Sequence, residues 1–122
     1  VDDSIVRGNT SKKIVEMVRK QGAKNVYFAS AAPPVRYQNV YGIDMPATKE
    51  LVAHGKTVEE IRRFIGADEL IYQDIEDLRM AAHIGNTNIT SFEDSVFTGK
   101  YRAGKISEEY LSQLENNRSS KE

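Results

Sequence analysis

The chain has 122 residues, 39% of them apolar and 29% charged, and its 17 basic and 18 acidic residues leave a net charge of −1. This length is typical of one domain or of part of a larger one, and the balanced charge argues against a nucleic acid or an acidic membrane recognised by bulk charge. The absence of cysteine excludes a disulfide, a thiol nucleophile and a thiolate metal site within these residues. We therefore expect a cytoplasmic protein with no nucleic-acid or membrane partner.

Several segments have the apolar spacing of helices. The segment 11–21 is apolar at helical intervals and ends at Gly22. Thr57 is followed three residues later by Glu60, which predicts a capping box at the start of another helix. The buried stripe of that helix is predicted to consist of Val58, Ile61, Phe64 and Ile65. The complete set of predicted helices is 11–21, 48–54, 57–65, 74–83 and one that begins at residue 108.

Short strands alternate with these helices. Residues 25–30 are β-branched and aromatic and are apolar on both faces, as is typical of a strand in a covered parallel sheet. Residues 69–72 and 95–101 are predicted to be two further extended segments. The alternation indicates the α/β class, with an open, mostly parallel sheet. Because such sheets usually hold about five or six strands, the chain is predicted to form part of an α/β domain.

An acidic pair, a small flexible loop and a helix follow one another at the start of the chain. The unpaired N–H groups at a helix N-terminus bind phosphate well, and Gly8 allows the backbone to approach an anion closely. Arg7, Lys12 and Lys13 add positive charge, and the hydroxyl groups of Ser4, Thr10 and Ser11 add donors. Asp2 and Asp3 are placed to accept hydrogen bonds from sugar hydroxyls. This pattern predicts a sugar-phosphate site.

From these residues alone, a helix cap after a solvated acidic turn remains an alternative interpretation. The loop is not a Walker loop and has no Gly-x-Gly-x-x-Gly pattern. Two other loops are hypothetical contributors: Arg36 and Tyr37, which follow a predicted strand, and the turn 43–46, which could approach a nucleotide. His54, His83, Lys100 and Arg102 are interpreted as helix-end or solvated residues.

Residues 1–10 resemble the phosphoribosyl pyrophosphate (PRPP) loop of type I phosphoribosyltransferases, in which two acids precede a small Gly/Thr loop. The resemblance extends to the glutamine PRPP amidotransferase (amidophosphoribosyltransferase) family and covers nearly the whole chain to about residue 114. Ordered segments carry it: 1–10 (VDDSIVRGNT), 22–24 (GAK), 30–34 (SAAPP), 41–46 (YGIDMP), 50–55 (ELVAHG) and 95–101 (SVFTGKY).

The resemblance implies a Rossmann-like fold, namely a partial type I phosphoribosyltransferase domain with C-terminal helices. Residues 1–115 would form the C-terminal part of that domain and 116–122 a polar tail, with the N-terminal glutaminase domain absent. In this family PRPP, glutamine and water give 5-phosphoribosylamine, glutamate and pyrophosphate in the first committed step of purine synthesis. The fragment is expected to keep the ribose 5-phosphate cradle and to be inactive alone.

The resemblance also implies roles for individual residues. Asp2 and Asp3 would bind the ribose and help to place Mg²⁺. The phosphate of PRPP or of an inhibitory purine nucleotide would be bound by Ser4, Ile5, Val6, Arg7, Gly8, Asn9 and Thr10. No catalytic residue is assigned. The parent enzyme would use glutamine or ammonia, and we expect a homo-oligomer.

Some positions differ from those of related enzymes, and these differences restrict which relatives the chain resembles. Some bacterial members bind an iron–sulfur cluster through a Cys-x-x-Cys pair where this chain has Glu93 and Val96, so no iron–sulfur cluster is expected here. Purine-salvage phosphoribosyltransferases often carry a carboxylate at this position. The valine that this chain has there, Val6, favours the amidotransferase family over a purine-salvage enzyme. A PRPP-sensing binding module of a DNA-binding regulator is the other alternative, although the chain has no basic excess.

Overall fold

The computed structural model describes residues 1–102 and 104–119. Short helices alternate with two strands, and a single 3₁₀ turn at Thr48–Glu50 interrupts the long loop after the first strand. The helices and strands are α1 (Asn9–Lys20), β1 (Tyr27–Ser30), α2 (Val58–Ile65), β2 (Glu69–Tyr72), α3 (Ile75–His83), α4 (Ser95–Thr98) and α5 (Glu108–Ser119).

The sheet is parallel and begins next to the acidic pair. β1 pairs with β2 in a register that places Tyr27 opposite Glu69 and Ser30 opposite Tyr72. On the other side of β1, Asp2 forms a parallel bridge with Ser30. In that bridge the Asp2 N–H donates to the Ala29 carbonyl at 2.9 Å, and the Ala31 N–H donates to the Asp2 carbonyl at 2.9 Å. The predicted fold class, a partial and parallel α/β sheet, is confirmed.

One face of this sheet carries the core. Phe28 and Leu70 point to the same side because paired residues of parallel strands share a face. α1 and α2 cover them and contribute Val15, Ile61 and Ile65, and the two isoleucines have no exposed surface. On the opposite face Tyr27 is 66% exposed and Ile71 is 59% exposed. The described residues therefore leave that face of the sheet open.

The capping box predicted for α2 is confirmed. The Glu60 carboxylate accepts from the Thr57 N–H at 2.7 Å, and the Thr57 hydroxyl accepts from the Glu60 N–H at 3.2 Å. The predicted buried stripe is only half correct. Ile61 and Ile65 are buried, whereas Val58 and Phe64 are each 39% exposed. No helix among residues 1–102 and 104–119 is long and apolar enough to cross a membrane.

Two predicted segments have different structures. The extended segment predicted at 95–101 begins instead with the helical turn α4, because the Asp94 carbonyl accepts from the N–H groups of Phe97 and Thr98. The helix predicted at 48–54 is reduced to a 3₁₀ turn, because the Val52 N–H is directed to the Val6 carbonyl at 2.9 Å. That second difference ties the loop to the start of the chain.

The C-terminal helix extends into the segment predicted to be a polar tail. α5 ends at Ser119, whereas the tail was predicted for 116–122, and residues 120–122 lie outside the described residues. α5 packs against the long loop. The Leu111 carbonyl accepts from the Gln38 side-chain amide at 3.3 Å, and the Glu115 carboxylate accepts from the Thr48 N–H at 2.8 Å. The division at residue 115 stays a prediction.

Candidate functional site

The residues predicted to bind a sugar phosphate lie around one open cavity at the start of α1. Its volume is about 390 Å³, and it is lined by Asp2, Asp3, Ser4, Val6, Arg7, Gly8, Asn9, Thr10, Ser11 and Pro46. All nine predicted residues from Asp2 to Thr10 are included except Ile5, which is 1% exposed and belongs to the core. The Ile5 side chain packs in the core, so a contact of Ile5 with a ligand there would come from its backbone, and its assignment stays a prediction.

Gly8 begins α1 in a conformation that favours glycine. Its φ is 77° and its ψ is −11°, and no side chain caps the helix. The Gly8 carbonyl accepts the N–H of Lys12 at 2.9 Å. The N–H groups of the first helical turn have no partner within a helix, and the residues that carry them, from Asn9 to Ser11, line the cavity. This arrangement can bind an anion.

The acidic pair lies at the end of the sheet, where local hydrogen bonds fix it. Asp2 is held between β1 and the loop by its bridge to Ser30. Its carboxylate accepts from the Asp3 N–H at 3.0 Å, and the Asp3 carboxylate accepts from the Ser4 N–H at 2.5 Å. Each carboxylate thus accepts a hydrogen bond from the next residue in the loop, and both line the cavity.

The described residues contain no group of three or more acidic or histidine side chains able to hold a metal ion by themselves. Asp2 and Asp3 provide carboxylate oxygens only, which are hard ligands of the kind that Mg²⁺ prefers. Because Mg²⁺ is commonly bound by one or two carboxylates together with substrate phosphates and water, the pair fits a magnesium ion that arrives with a pyrophosphate-bearing ligand.

Arg7 reaches the cavity with its charge already paired. Its Nε lies 3.1 Å from the Glu50 carboxylate, and both side chains are partly exposed. Glu50 also accepts from the Ala47 N–H at 3.0 Å. That backbone hydrogen bond, followed by the one from Arg7, lowers the pKa of Glu50. The positive charge predicted at the cradle is thus present but shared with a carboxylate.

The two hypothetical loop contributors have different outcomes. Pro46, from the turn 43–46, lines the cavity. Arg36 does not line it, and its guanidinium donates to the carbonyls of Ala53 and Lys56 at 2.7 and 2.8 Å. Tyr37 packs edge-on to the His54 ring, with centroids 6.3 Å apart. These contacts give Arg36 and Tyr37 structural roles in holding the loop.

Sequence reasoning missed the residues that support the loop from distant parts of the chain. Glu50 binds Arg7, the Val52 N–H binds the carbonyl of Val6, and the Phe64 ring packs against Gly8. Each is an ordinary helix or loop residue in the sequence. Only the predicted burial of Phe64, which is incomplete in the structure, marked it as a packing residue.

The parallel sheet, with the cavity between Asp2 and the start of α1, fits a partial type I phosphoribosyltransferase fold, which is the fold of the solved structures that the chain matches. No protein-family model matches the chain. Over 118 residues, 97% of the chain, it is 56% identical to the amidophosphoribosyltransferase of Haemophilus influenzae, of which these residues make up 23%. The chain thus spans about a quarter of the length of the curated relatives it matches.

Solved structures give the same result. The glutamine PRPP amidotransferase of Bacillus subtilis, complexed with ADP and GMP, matches 86% of this chain and 23% of its own chain at 38% identity and a TM-score of 0.69. A second structure, of the allosteric regulatory enzyme of purine biosynthesis, matches 93% of this chain and 25% of its own chain at 36% identity and a TM-score of 0.73. The predicted resemblance is confirmed: the chain corresponds to a segment of the amidophosphoribosyltransferases, which are glutamine-dependent phosphoribosyltransferases.

Proposed function

We propose that this chain forms the ribose 5-phosphate cradle of an amidophosphoribosyltransferase that acts in purine synthesis. One observation supports the proposal best: the acidic pair, the loop that contains Gly8 and the start of α1 all line the same cavity. In the whole protein, the cradle would bind PRPP during its conversion with glutamine and water into 5-phosphoribosylamine, glutamate and pyrophosphate. The same cradle would bind inhibitory purine nucleotides, which carry the same ribose 5-phosphate group.

The cavity offers a separate set of groups for each part of the ligand. The N–H groups at the start of α1 and the hydroxyls of Ser4 and Thr10 would bind the 5-phosphate. Asp2 and Asp3 would accept hydrogen bonds from the ribose hydroxyls and hold Mg²⁺. When bound, Mg²⁺ would act as a Lewis acid toward the pyrophosphate group. The hydrophobic Val6 leaves no carboxylate for an incoming purine base, in agreement with ammonia as nucleophile.

We propose that the 122-residue chain binds ligand and does not catalyse the reaction alone. It contains no cysteine, so it has no thiol with which to release ammonia from glutamine. The chain matches only about a quarter of its relatives' length, and we assign it no catalytic residue. We further propose that the protein is cytoplasmic and that Mg²⁺ is its metal.

Ribose 5-phosphate titration of the ¹⁵N-labelled chain tests the cradle. We expect the amide signals of residues 7–10 to shift most, because their N–H groups lie closest to the bound phosphate. In the double variant Asp2→Asn and Asp3→Asn, we expect about tenfold weaker binding of ribose 5-phosphate, because hydrogen bonds to charged carboxylates are lost. Binding of inorganic phosphate, which has no sugar hydroxyls, should change by less than about twofold.

Asp77→Asn is the matched control, since Asp77 is an exposed acid of α3 that does not line the cavity. It should leave both affinities unchanged. Shifts centred on α5 would contradict the site assignment, as would equal losses of ribose 5-phosphate and of inorganic phosphate in the double variant.

We also propose that the chain self-associates through its open sheet face. Tyr27 and Ile71 expose apolar surface on neighbouring parallel strands, and parallel sheets are usually covered on both faces. A two-fold dimer would cover this face.

Light scattering coupled to chromatography should show a concentration-dependent dimer, and Ile71→Lys should convert it to monomer. Ile84→Lys, at an exposed position beyond α3, is the control. A monomer at every concentration would refute the proposal.

A further inference from the structure

Phe64 departs from the role that its sequence position predicts. It belongs to the apolar stripe of α2, yet its side chain is 39% exposed, whereas Ile61 and Ile65 in the same helix are buried. The ring lies against Gly8, the residue that begins α1. Phe64 does not line the cavity, so it contacts Gly8 from outside the ligand site.

The contact between Phe64 and Gly8 leaves little space for a side chain. A Cβ atom on Gly8 would lie 3.0 Å from Cε1 and 3.2 Å from Cδ1 of the Phe64 ring. It would also lie 3.2 Å from Cγ2 of Val52, the residue whose N–H binds the carbonyl of Val6. Two residues far along the chain therefore fix the backbone where the loop turns into α1.

The same ring lies close to two cations. The Lys12 Nζ is 5.7 Å and the Lys56 Nζ is 5.9 Å from the ring centroid, both within the range of cation–π attraction. Lys12 belongs to α1, and Lys56 comes from the turn before α2. Because the ring also contacts Gly8, both ammonium groups lie near the N-terminus of α1, where they add to its positive potential.

We infer that Phe64 is a positioning residue for the 5-phosphate: it holds Gly8 in place and keeps Lys12 and Lys56 beside the start of α1. The inference rests on the proposed function, because it assumes that the phosphate binds at this helix terminus. It adds a residue of α2 that touches neither the ligand nor the cavity. An anion site whose donors are fixed in advance loses less free energy on binding than a mobile one.

Two variants of Phe64 and one control test the inference in the 122-residue chain. Phe64→Ala removes both the packing and the aromatic face, and Phe64→Leu keeps apolar packing but removes the aromatic face. Val58→Ala is the control, because Val58 lies in the same helix with the same 39% exposure. The measurements are the Kd for ribose 5-phosphate and the hydrogen-exchange rate of the Lys12 amide, which donates to the Gly8 carbonyl at 2.9 Å.

We expect Phe64→Ala to weaken ribose 5-phosphate binding about tenfold and Phe64→Leu about threefold, since a displaced anchor group costs affinity on this scale. Both variants should exchange the Lys12 amide faster than wild type, and Val58→Ala should match wild type in both measurements. A folded Phe64→Ala with wild-type Kd and exchange would overturn the inference. If that variant does not fold, wild-type values in Phe64→Leu would overturn it equally.

The proposed function can fail separately. If the wild-type chain does not bind ribose 5-phosphate, the cradle assignment is wrong, and the exchange rates alone then decide whether Phe64 positions the loop. Unchanged Lys12 exchange in both Phe64 variants would refute that role, whereas faster exchange in both, with no change in Val58→Ala, would support it.

Discussion

Gly8→Ala is expected to destabilise the chain by about 2–5 kcal/mol and to abolish ribose 5-phosphate binding. Holding a non-glycine residue at a left-handed φ of 77° costs about 1–2 kcal/mol. The new Cβ would also meet Phe64 at 3.0 Å, and overpacking of this kind typically costs about 1–3 kcal/mol. Urea denaturation measures the loss of stability, and titration with ribose 5-phosphate measures the loss of binding.

Gly55→Ala separates these two costs. Gly55 has a φ of 65° and no atom within 4 Å of a built Cβ, so its substitution carries the backbone cost alone, about 1–2 kcal/mol. In a Phe64→Ala background, the cost of Gly8→Ala should fall only part of the way to that value, because the ring is gone but the Val52 Cγ2 would still lie 3.2 Å from the new Cβ. Equal costs for Gly8→Ala and Gly55→Ala in the wild-type chain would show that Phe64 yields without penalty.

Ile61→Ala should be strongly destabilising, with a loss of about 2–5 kcal/mol. Ile61 has no exposed surface and belongs to the cluster that joins α1, α2 and the covered face of the sheet. Because small domains are stable by only about 5–15 kcal/mol, this loss is a large share of the total and should lower the urea midpoint clearly. Circular dichroism and the urea midpoint measure the effect.

Val58→Ala, in the same helix, is the matched control for Ile61→Ala. Its side chain is 39% exposed, so we expect a loss of no more than about 1 kcal/mol. Comparable losses for Val58→Ala and Ile61→Ala would mean that the core does not lie between α2 and the sheet.

The elements of the fold that depend on local signals could be predicted from the sequence. α2 begins after Thr57 because Thr57 and Glu60 satisfy each other's backbone N–H groups. The two residues are only three positions apart, so the sequence pattern shows this capping box directly. The residues 95–101 were predicted incorrectly because β-branched and aromatic residues are ambiguous in short runs. There the bonds of Asp94 to Phe97 and Thr98 favour a helical turn over a strand.

The same distinction applies to the candidate site. Residues 2–10 are contiguous, so their pattern predicts a sugar-phosphate site, with a helix cap after an acidic turn as the alternative; the family resemblance favours the first. The residues that hold it cannot be found in this way, because Glu50, Val52 and Phe64 approach the loop only once the chain has folded. Ile5 shows a different limit of the sequence pattern. Its position in the loop motif does not predict where its side chain points, and the hydrophobic effect places that side chain in the core.

The parallel pairings of Asp2 with Ser30 and of β1 with β2 have a consequence for biosynthesis. Both pairings join residues far apart in the chain. Such pairings form slowly, because the chain loses the entropy of closing the loop before the new contacts stabilise it. α1 can form from local contacts as soon as it is made, but the supports of its first residue come from Val52 and Phe64. During synthesis the phosphate-binding sequence therefore leaves the ribosome before its supports, and we expect it to acquire phosphate affinity only after α2 has followed.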